Sequence, residues 1–251
     1  MVLKTGMSIL GAVGRYVLMI KEMFSLPGNR KVYWKELMFQ CVEIGIGSLG
    51  IVSIVSVFIG AVSTVQTAYQ LVSPLLSKST IGQVVRSTVI LEFAPTLTCL
   101  VLAGVIGSKI ASELGNMRVN EQIDALEIMG VNTKAYLGLP KILACLIMIP
   151  FLVIISMALG IYGGRLAAGA GNVLSTEMYD RGLLWRFSSY NIIFALTKAY
   201  MFAFIISSVP IFHGYYVNGG SQEIGRAATK AVIISCIMVL FSDFVLSVLF
   251  L

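Results

Sequence analysis

Five apolar stretches, each long enough to cross a membrane as a helix, constrain this chain more than any other feature. A spanning helix needs about 20 mainly apolar residues, because every backbone N–H and C=O group must find its partner inside the segment. Only 12% of the 251 residues are charged, and a soluble domain carries roughly twice that fraction. The sequence therefore predicts an all-α integral membrane protein, with spans at approximately residues 44–72, 88–108, 137–162, 190–212 and 231–251.

The N-terminal segment has a different, amphipathic pattern. Between residues 3 and 24, apolar side chains recur every three or four positions and the charged side chains lie off that stripe. The pattern predicts a helix in the interface plane of the membrane that breaks at Pro27 and Gly28. We expect residues 1–40 to form interfacial elbow helices and residues 41–251 a single transmembrane domain. A secretory signal peptide is the alternative, but the segment lacks a continuous apolar core followed by a cleavage site.

The distribution of positive charge orients the spans. Cytoplasmic connections of membrane proteins carry an excess of Lys and Arg. If the N-terminus is cytoplasmic, most of the 18 basic residues fall on the inner side, and the opposite orientation reverses the ratio. We therefore expect a cytoplasmic N-terminus and, after five crossings, a periplasmic C-terminus. The basic residues left on the outer side are then Lys78, Arg86, Arg165, Arg181 and Arg186.

Several other classes are disfavoured by the residue pattern. The net charge is +6, but the basic residues are scattered and not interleaved with aromatic residues, so no nucleic-acid partner is expected. The four cysteines lie far apart in or beside apolar runs, as small buried hydrophobes do. His213 is the only histidine, so we predict neither a metal site nor a catalytic constellation. The chain has no GxxxxGK[ST] phosphate loop, so ATP hydrolysis is expected in another chain.

The acidic stretch ELGNMRVNEQIDALEIMG interrupts this apolar chain between the second and third spans. Its length and lack of proline predict one helix over residues 111–130, which Gly130 terminates. Arg118 and Glu121, or Glu121 and Asp124, would then lie three residues apart on one surface. The stretch is either a solvated loop helix or, since it combines acids with Met and Ile, a surface that docks on a partner.

Five blocks of the sequence resemble a known family. The run ASELGNMRVNEQIDALEIMGVNTKAYLGLPKILA is similar to the connection between spans two and three of the MlaE/YrbE family of ABC transporter permeases. FIGAVSTVQ, LEFAPTL, GIYGG and IGRAATKAVIISCIMVLFSDFVLSVLF resemble that family in the same order. The resemblance covers nearly the whole chain from the interfacial helix onward.

This resemblance implies an assembly and a function. Members of the family form homodimeric permeases that bind a cytoplasmic ATPase, which holds ATP and Mg²⁺, and an MCE-domain protein. A STAS-like accessory protein is among the implied partners. The complex moves phospholipids or other lipids between membranes, and the expected location of this chain is a bacterial inner membrane. The connection between spans two and three is the coupling helix that docks into the ATPase, which assigns nucleotide coupling to Glu113, Arg118, Glu121, Gln122, Asp124 and Met129.

The resemblance also assigns a lipid cavity beside LEFAP in the second span. The Glu of an Arg-Glu-Leu-Gly-Pro-like motif lines that cavity in the family, and Glu92 and Pro95 match it. Leu91 stands where an Arg is common and offers no cation to a headgroup, and Phe93 and Ala94 replace Leu and Gly. Inside a span, Pro95 removes a backbone hydrogen bond and can kink the helix beside Glu92.

Glu92, Lys198 and Asp243 are ionisable residues inside predicted spans. Each would cost roughly 2.5 to 3.5 kcal/mol at the bilayer centre, so none is expected to face lipid. In one interpretation Glu92 is nearly interfacial and Lys198 snorkels outward. In the other, both face a cavity between two subunits where a lipid headgroup sits. For Asp243 we favour a structural hydrogen bond or ion pair over cargo contact.

The first span carries further candidates. Gln66 and Tyr69 lie near its outer end, where they either line the mouth of the cavity or anchor the span at the interface. Small residues allow close approach of a second helix, which predicts a dimer seam along this span at Gly45, Gly47, Gly50 and Gly60.

A second function stays open beside that of a lipid-moving permease. An ion- or proton-coupled secondary transporter could use the three intramembrane charges as a relay. Against it, five spans cannot form two equal inverted repeats. A membrane-bound enzyme of lipid metabolism would require clustered His or Asp at the membrane surface, which the sequence lacks.

Overall fold

The computed structural model of this chain describes residues 2–23, 30–71, 79–171, 174–185 and 187–250. All regular secondary structure in these ranges is helical. The break predicted at Pro27 and Gly28 lies outside the described residues. Among the described residues, five helices are long and apolar enough to cross a membrane, as predicted: Tyr33–Gln70, Ser79–Val119, Lys134–Ala170, Ser189–Tyr215 and Ser221–Phe250.

Ten α-helices and three π-helical stretches make up the described chain. The helices up to the end of the second span are α1 (Val2–Met23), α2 (Arg30–Gln70), α3 (Ser79–Thr88), α4 (Thr98–Leu102) and α5 (Ser108–Val119). The remaining helices are α6 (Gln122–Ile128), α7 (Leu139–Ala170), α8 (Thr176–Leu184), α9 (Ser189–Tyr215) and α10 (Ser221–Phe250). The π-helical stretches are Val89–Leu97, Ala103–Gly107 and Lys134–Gly138.

The amphipathic stretch KVYWKELMFQ continues into the first span without a break, because α2 runs from Arg30 to Gln70. Its 41 residues make a helix about 60 Å long. That length is about twice the thickness of the hydrocarbon core, so α2 extends well beyond a single crossing.

Pro95 changes the helix type of the second span. It lies within the π-helical stretch Val89–Leu97, which also contains Glu92. Pro95 has no N–H to donate and would clash with the carbonyl one turn back, and the wider π turn accommodates both effects. The irregularity expected beside Glu92 is therefore present as a π-helical stretch, a feature that is rare and frequent at functional sites.

The described residues group into two compact units. The first unit is formed by residues of 1–44, 103–146 and 204–237. The second unit is formed by residues of 45–102, 147–203 and 238–251.

In the first unit, α1 packs through buried methionines and one polar contact. Met23 is fully buried, and its Cε lies 2.0 Å from the position that a Cβ at Gly138 would take. Tyr16 Oη lies 2.7 Å from Ser208 Oγ of α9. Burial of the Tyr16 phenol raises its pKa above the ordinary value, and the bond to Ser208 opposes this. These contacts hold α1 against α9 and against Gly138, the last residue of the π-helical stretch that begins the third span.

In the second unit, small residues bring α2 and α7 into direct contact. A Cβ added at Gly60 would lie 1.8 Å from the carbonyl oxygen of Gly160, so only glycine fits there. Ser156 Oγ lies 2.8 Å from both Ser56 Oγ and Thr98 Oγ1. These hydroxyls join the first, second and third spans. Hydrogen bonding between them is favoured because each hydroxyl would otherwise be an unsatisfied polar group among apolar side chains.

The predicted dimer seam needs correction at two of its four glycines. Gly60 packs within the chain, and a Cβ at Gly45 would lie 2.1 Å from Met148 Cε. A Cβ added at Gly47 or Gly50 would meet no described atom within 4 Å. Gly47 and Gly50 therefore remain open to close approach by a second helix.

We expect Gly60→Ala to lower the midpoint temperature of unfolding in detergent. The added methyl group forces apart two backbones, an overpacking effect of about 1 to 3 kcal/mol. Gly47→Ala is the matched control, since its Cβ enters open space and alanine favours the helix by roughly 1 kcal/mol. Equal stability of the two variants would contradict the α2 and α7 contact.

Candidate functional site

The acidic connection between the second and third spans consists of two helices, so the single helix predicted over residues 111–130 is wrong. α5 ends at Val119, a turn follows at Asn120 and Glu121, and α6 begins at Gln122. Glu121 has a φ of 58°, a left-handed conformation that costs a non-glycine residue about 1 to 2 kcal/mol. Gly130 has a φ of 76° and ends the connection as predicted.

The turn changes the charge pairs of this connection. Neither pair expected on one continuous helix is present among the described residues. Instead, the Arg118 guanidinium donates across the turn to Asp124 Oδ1. Both side chains are partly exposed, so the pair fixes the geometry of the turn more than it adds stability. Glu121 and Gln122, at the turn itself, are exposed.

A polar cluster of two buried hydroxyl side chains and one exposed carboxylate anchors the acidic connection to the third and fourth spans. Tyr215 Oη, at the end of α9, donates to Glu127 Oε1 at 2.7 Å. Thr133 Oγ1 lies 3.1 Å from the same carboxylate oxygen and 2.8 Å from Tyr215 Oη, so its single hydrogen can serve either acceptor. The role of Glu127 could not be predicted, because nothing in the sequence places Tyr215 beside it.

Ion pairs add further links within the first unit. Lys141 Nζ lies 2.6 Å from Glu113 Oε2, and the Lys141 side chain is only 3% exposed. Glu113, which the resemblance assigned to nucleotide coupling, therefore neutralises a buried lysine of α7. Lys134 pairs with Glu22 of α1 at 2.5 Å. The acidic connection and its flanks are held by charge-assisted bonds to several helices of the unit.

The tip of the acidic connection exposes large apolar side chains. Ile123 is fully buried and fastens α6 inward, whereas Ile128 is 87% exposed and Met129 is 68% exposed. Val131 continues this exposed patch. An apolar tip on a charged, firmly anchored connection is suited to insertion into a complementary surface.

We expect the stabilising effect of Glu127 to disappear in acid. The hydrogen bond from Tyr215 lowers the pKa of Glu127 below its ordinary value of 4.5; partial burial opposes this, and Thr133 adds to the lowering. A lowered pKa in the folded state stabilises the protein above pH 4.5, and the effect is lost as the pH falls through the lowered pKa. The difference in unfolding temperature between wild type and Glu127→Gln should therefore shrink below that pH.

Glu121→Gln is the control for this pH profile. The Glu121 side chain is exposed and makes no hydrogen bond or ion pair within the described chain. Its difference from wild type should stay small at every pH. A Glu127→Gln difference that is independent of pH would contradict the hydrogen-bonded cluster.

Lys198 forms the centre of an ionic cluster in the second unit. Its side chain is fully buried, and its Nζ lies 3.0 Å from Glu92 Oε1 and 2.8 Å from Asp243 Oδ1. Nζ also donates to the Leu91 carbonyl oxygen at 3.3 Å and lies 4.8 Å from the ring centre of Phe194. The ion pair favoured for Asp243 is confirmed, and the proposed snorkelling of Lys198 is wrong because two carboxylates hold it inside.

An open apolar groove of about 260 Å³ lies between α2 and the π-helical stretch of the second span. Two of its lining residues, Phe93 and Leu97, follow Glu92 in the sequence. Phe58, Val62 and Gln66 line one side, and Phe93 and Leu97 line the other. The structure thus brings Gln66 and Phe93 together, as expected of two cavity residues.

The other predicted cavity residues lie elsewhere. Tyr69 is 76% exposed and does not line the groove. Pro95 is buried, and Leu91 contributes its carbonyl oxygen to Lys198. The Glu92 side chain is 39% exposed, so one face of its carboxylate remains open while the other holds Lys198.

Comparison with known proteins shows one family over most of the chain. The profile of the family described as permease MlaE matches residues 37–249. A probable ABC transporter permease protein of Rickettsia bellii is 35% identical over 219 residues, which are 87% of this chain and 84% of the relative. Protein TRIGALACTOSYLDIACYLGLYCEROL 1, chloroplastic, of Arabidopsis thaliana is 31% identical over 98% of this chain and 68% of its own length.

Proposed function

The chain belongs to the MlaE family of permeases, and from this premise we propose that it is the membrane subunit of an ABC transporter that moves phospholipid or a related lipid between membranes. The observation that carries this proposal is the anchored acidic connection with its exposed apolar tip at Ile128 and Met129. A permease driven by a separate ATPase needs such a rigid handle, because motion of the ATPase must reach the spans without being absorbed in a flexible loop.

Docking of an ATPase is supported by the contacts of the acidic connection. Glu121, Gln122 and Met129 are exposed and available to a partner, whereas Glu113, Arg118 and Asp124 are engaged within the chain. We therefore assign direct contact to the first three residues and positioning to the other three. The excess of basic residues on this side of the chain supports a cytoplasmic location for it.

The polar cluster of Glu127, Thr133 and Tyr215 would transmit motion of the ATPase to the spans. A displacement of α6 moves the Glu127 carboxylate, which is hydrogen-bonded to Tyr215 at the end of the fourth span. The same carboxylate contacts Thr133, one residue before the third span. Closure of the ATPase would thus shift the ends of two spans together, which is the coupling that alternating access requires.

The lipid assignment is supported by the groove and by one relative. The groove is lined mainly by apolar side chains, with Gln66 and Ser63 as polar groups, as suits an acyl chain with a polar end. The name of the Arabidopsis relative contains that of a glycolipid. In the proposed transporter, two copies of this chain face each other, and Glu92 presents its open carboxylate face to the cavity between them.

Further partners complete the proposal. The permease family and the resemblance support an MCE-domain protein on the outer face and a STAS-like protein in the cytoplasm. We place the complex in a bacterial inner membrane, with the N-terminus inside and the C-terminus in the periplasm. The ion-coupled alternative is less well supported, since Lys198 is held by two carboxylates and is not free to carry an ion.

Mass spectrometry of the chain purified gently from its native membrane tests the proposal. An ATPase, an MCE-domain protein and a bound phospholipid are expected together. Addition of ATP to the reconstituted complex should then move lipid between vesicle populations. A chain that purifies alone, without lipid, and drives flux under a pH gradient would replace the proposal by the secondary-transporter alternative.

A further inference from the structure

A second cavity, rich in polar groups, lies between the fourth and fifth spans in the first unit. Its volume is about 210 Å³, and it is open on one side. His213 and Tyr216 line it from the end of α9 and the turn that follows, and Glu223, Arg226 and Lys230 line it from the first turns of α10. The groove in the second unit is mainly apolar, whereas most of the lining residues here are polar or charged.

The charge of this cavity is positive. Arg226 Nη1 pairs with Glu223 Oε1 at 2.6 Å, and the Arg226 side chain is 75% exposed. Within the described chain, Lys230 takes part in no ion pair. Arg226 and Lys230 together exceed the one carboxylate by one unit of charge, so the cavity attracts an anion. The planar Arg226 guanidinium keeps further N–H donors that Glu223 does not use.

The position of the cavity limits what can fill it. It lies where α9 ends and α10 begins, and both helices are candidate spans. A connection between two spans lies at the boundary between hydrocarbon and water. Basic pockets between spanning helices at that boundary suit anionic lipid headgroups. A volume below about 300 Å³ fits a phosphate-sized group better than a drug-sized molecule.

We propose that this cavity binds the phosphate group of an anionic phospholipid, with Arg226 and Lys230 as the ligating side chains and Tyr216 as a neutral hydrogen-bonding wall. We assign this lipid a resident role at the membrane boundary, because no residue that lines the cavity also lines the apolar groove. This site does not depend on the proposed transport function.

The site lies close to the acidic connection. Tyr216 packs against Tyr215 with ring centres 5.2 Å apart, and Tyr215 donates to Glu127 of α6. A Cβ at Gly115 of α5 would lie 3.2 Å from Ile224, next to Glu223 in the first turn of α10. A bound headgroup would therefore rigidify the same helices that hold the acidic connection.

Hydrogen exchange of the full chain in lipid nanodiscs tests the site. Amide exchange of peptides within residues 213–230 is compared in phosphatidylglycerol, in phosphatidylcholine, and in phosphatidylcholine with added inorganic phosphate. We expect exchange in phosphatidylglycerol to be about tenfold slower than in the other two conditions, because binding suppresses local opening. Peptides from the groove, such as residues 58–66, serve as an internal reference.

The double variant Arg226→Gln/Lys230→Gln should abolish this protection. The matched control, Lys21→Gln/Lys35→Gln, removes two exposed cations outside the cavity and should retain it. Equal loss in both double variants would mean nonspecific attraction and would overturn the proposal. Protection by inorganic phosphate in phosphatidylcholine would overturn the lipid source in favour of a soluble phosphate. Equal protection in the two lipids would overturn the preference for an anionic headgroup.

Discussion

Lys198→Met is expected to be among the most destabilising single substitutions in this chain. It removes the cation that Glu92 and Asp243 share and leaves two carboxylates facing each other inside the membrane. Removing one partner of a buried ion pair costs about 3 to 5 kcal/mol. The open face of Glu92 screens part of this effect, whereas Asp243 is only 16% exposed. We therefore expect a large fall in the unfolding temperature and in the yield of inserted protein.

A triple variant that removes all three charges separates the effect of unpaired charge on stability from the effect of the altered side-chain shape. Lys198→Met combined with Glu92→Gln and Asp243→Asn leaves no unpaired charge, and its stability should recover most of the loss. The control Lys109→Met breaks an ion pair with Glu43. The Lys109 side chain is 49% exposed and that of Glu43 is 32% exposed, so this substitution should cost less than about 1 kcal/mol. If Lys198→Met were no worse than Lys109→Met, the ionic cluster would have no structural role.

The spans were predictable because their signal is local. Each needs only a run of apolar residues, and the five runs correspond to five long helices. The ends were less predictable, since helices continue past the apolar run wherever the next turns find contacts. Ser79 begins the second of these helices nine residues before the predicted span, where Gly82 of α3 packs closely against Gly182 of α8. That contact is distant in sequence and left no local pattern.

The candidate sites were predictable by residue type but not by partner. Because a charged side chain is unfavourable inside a bilayer, Glu92, Lys198 and Asp243 were each expected to have a partner. Their spacing in the sequence could not show that the three meet in one cluster. The break at Glu121 was missed because a left-handed Glu contradicts the local preference for a helix. Glu127 was missed for the complementary reason, since its partner Tyr215 lies 88 residues away.

Ile128→Glu should weaken ATPase binding to the permease by about tenfold to a hundredfold if the proposed function is correct. Ile128 is 87% exposed, so in the free chain the substitution disturbs no packing. In the complex, a central apolar side chain at a docking tip contributes about 2 kcal/mol or more, and a carboxylate there would be desolvated without a partner. Co-purification and ATPase stimulation in nanodiscs measure the effect.

Leu184→Glu is the matched control for this substitution. Leu184 is 81% exposed and lies at the end of α8, between the third and fourth spans. Successive connections lie on opposite sides of a membrane, so the same apolar-to-acidic change there cannot touch an ATPase docked on the acidic connection. ATPase binding should be unchanged in Leu184→Glu and weakened to the extent given above in Ile128→Glu. Normal binding by Ile128→Glu would exclude this tip as the docking surface, because an interface centred on it cannot accept a buried, unpaired charge.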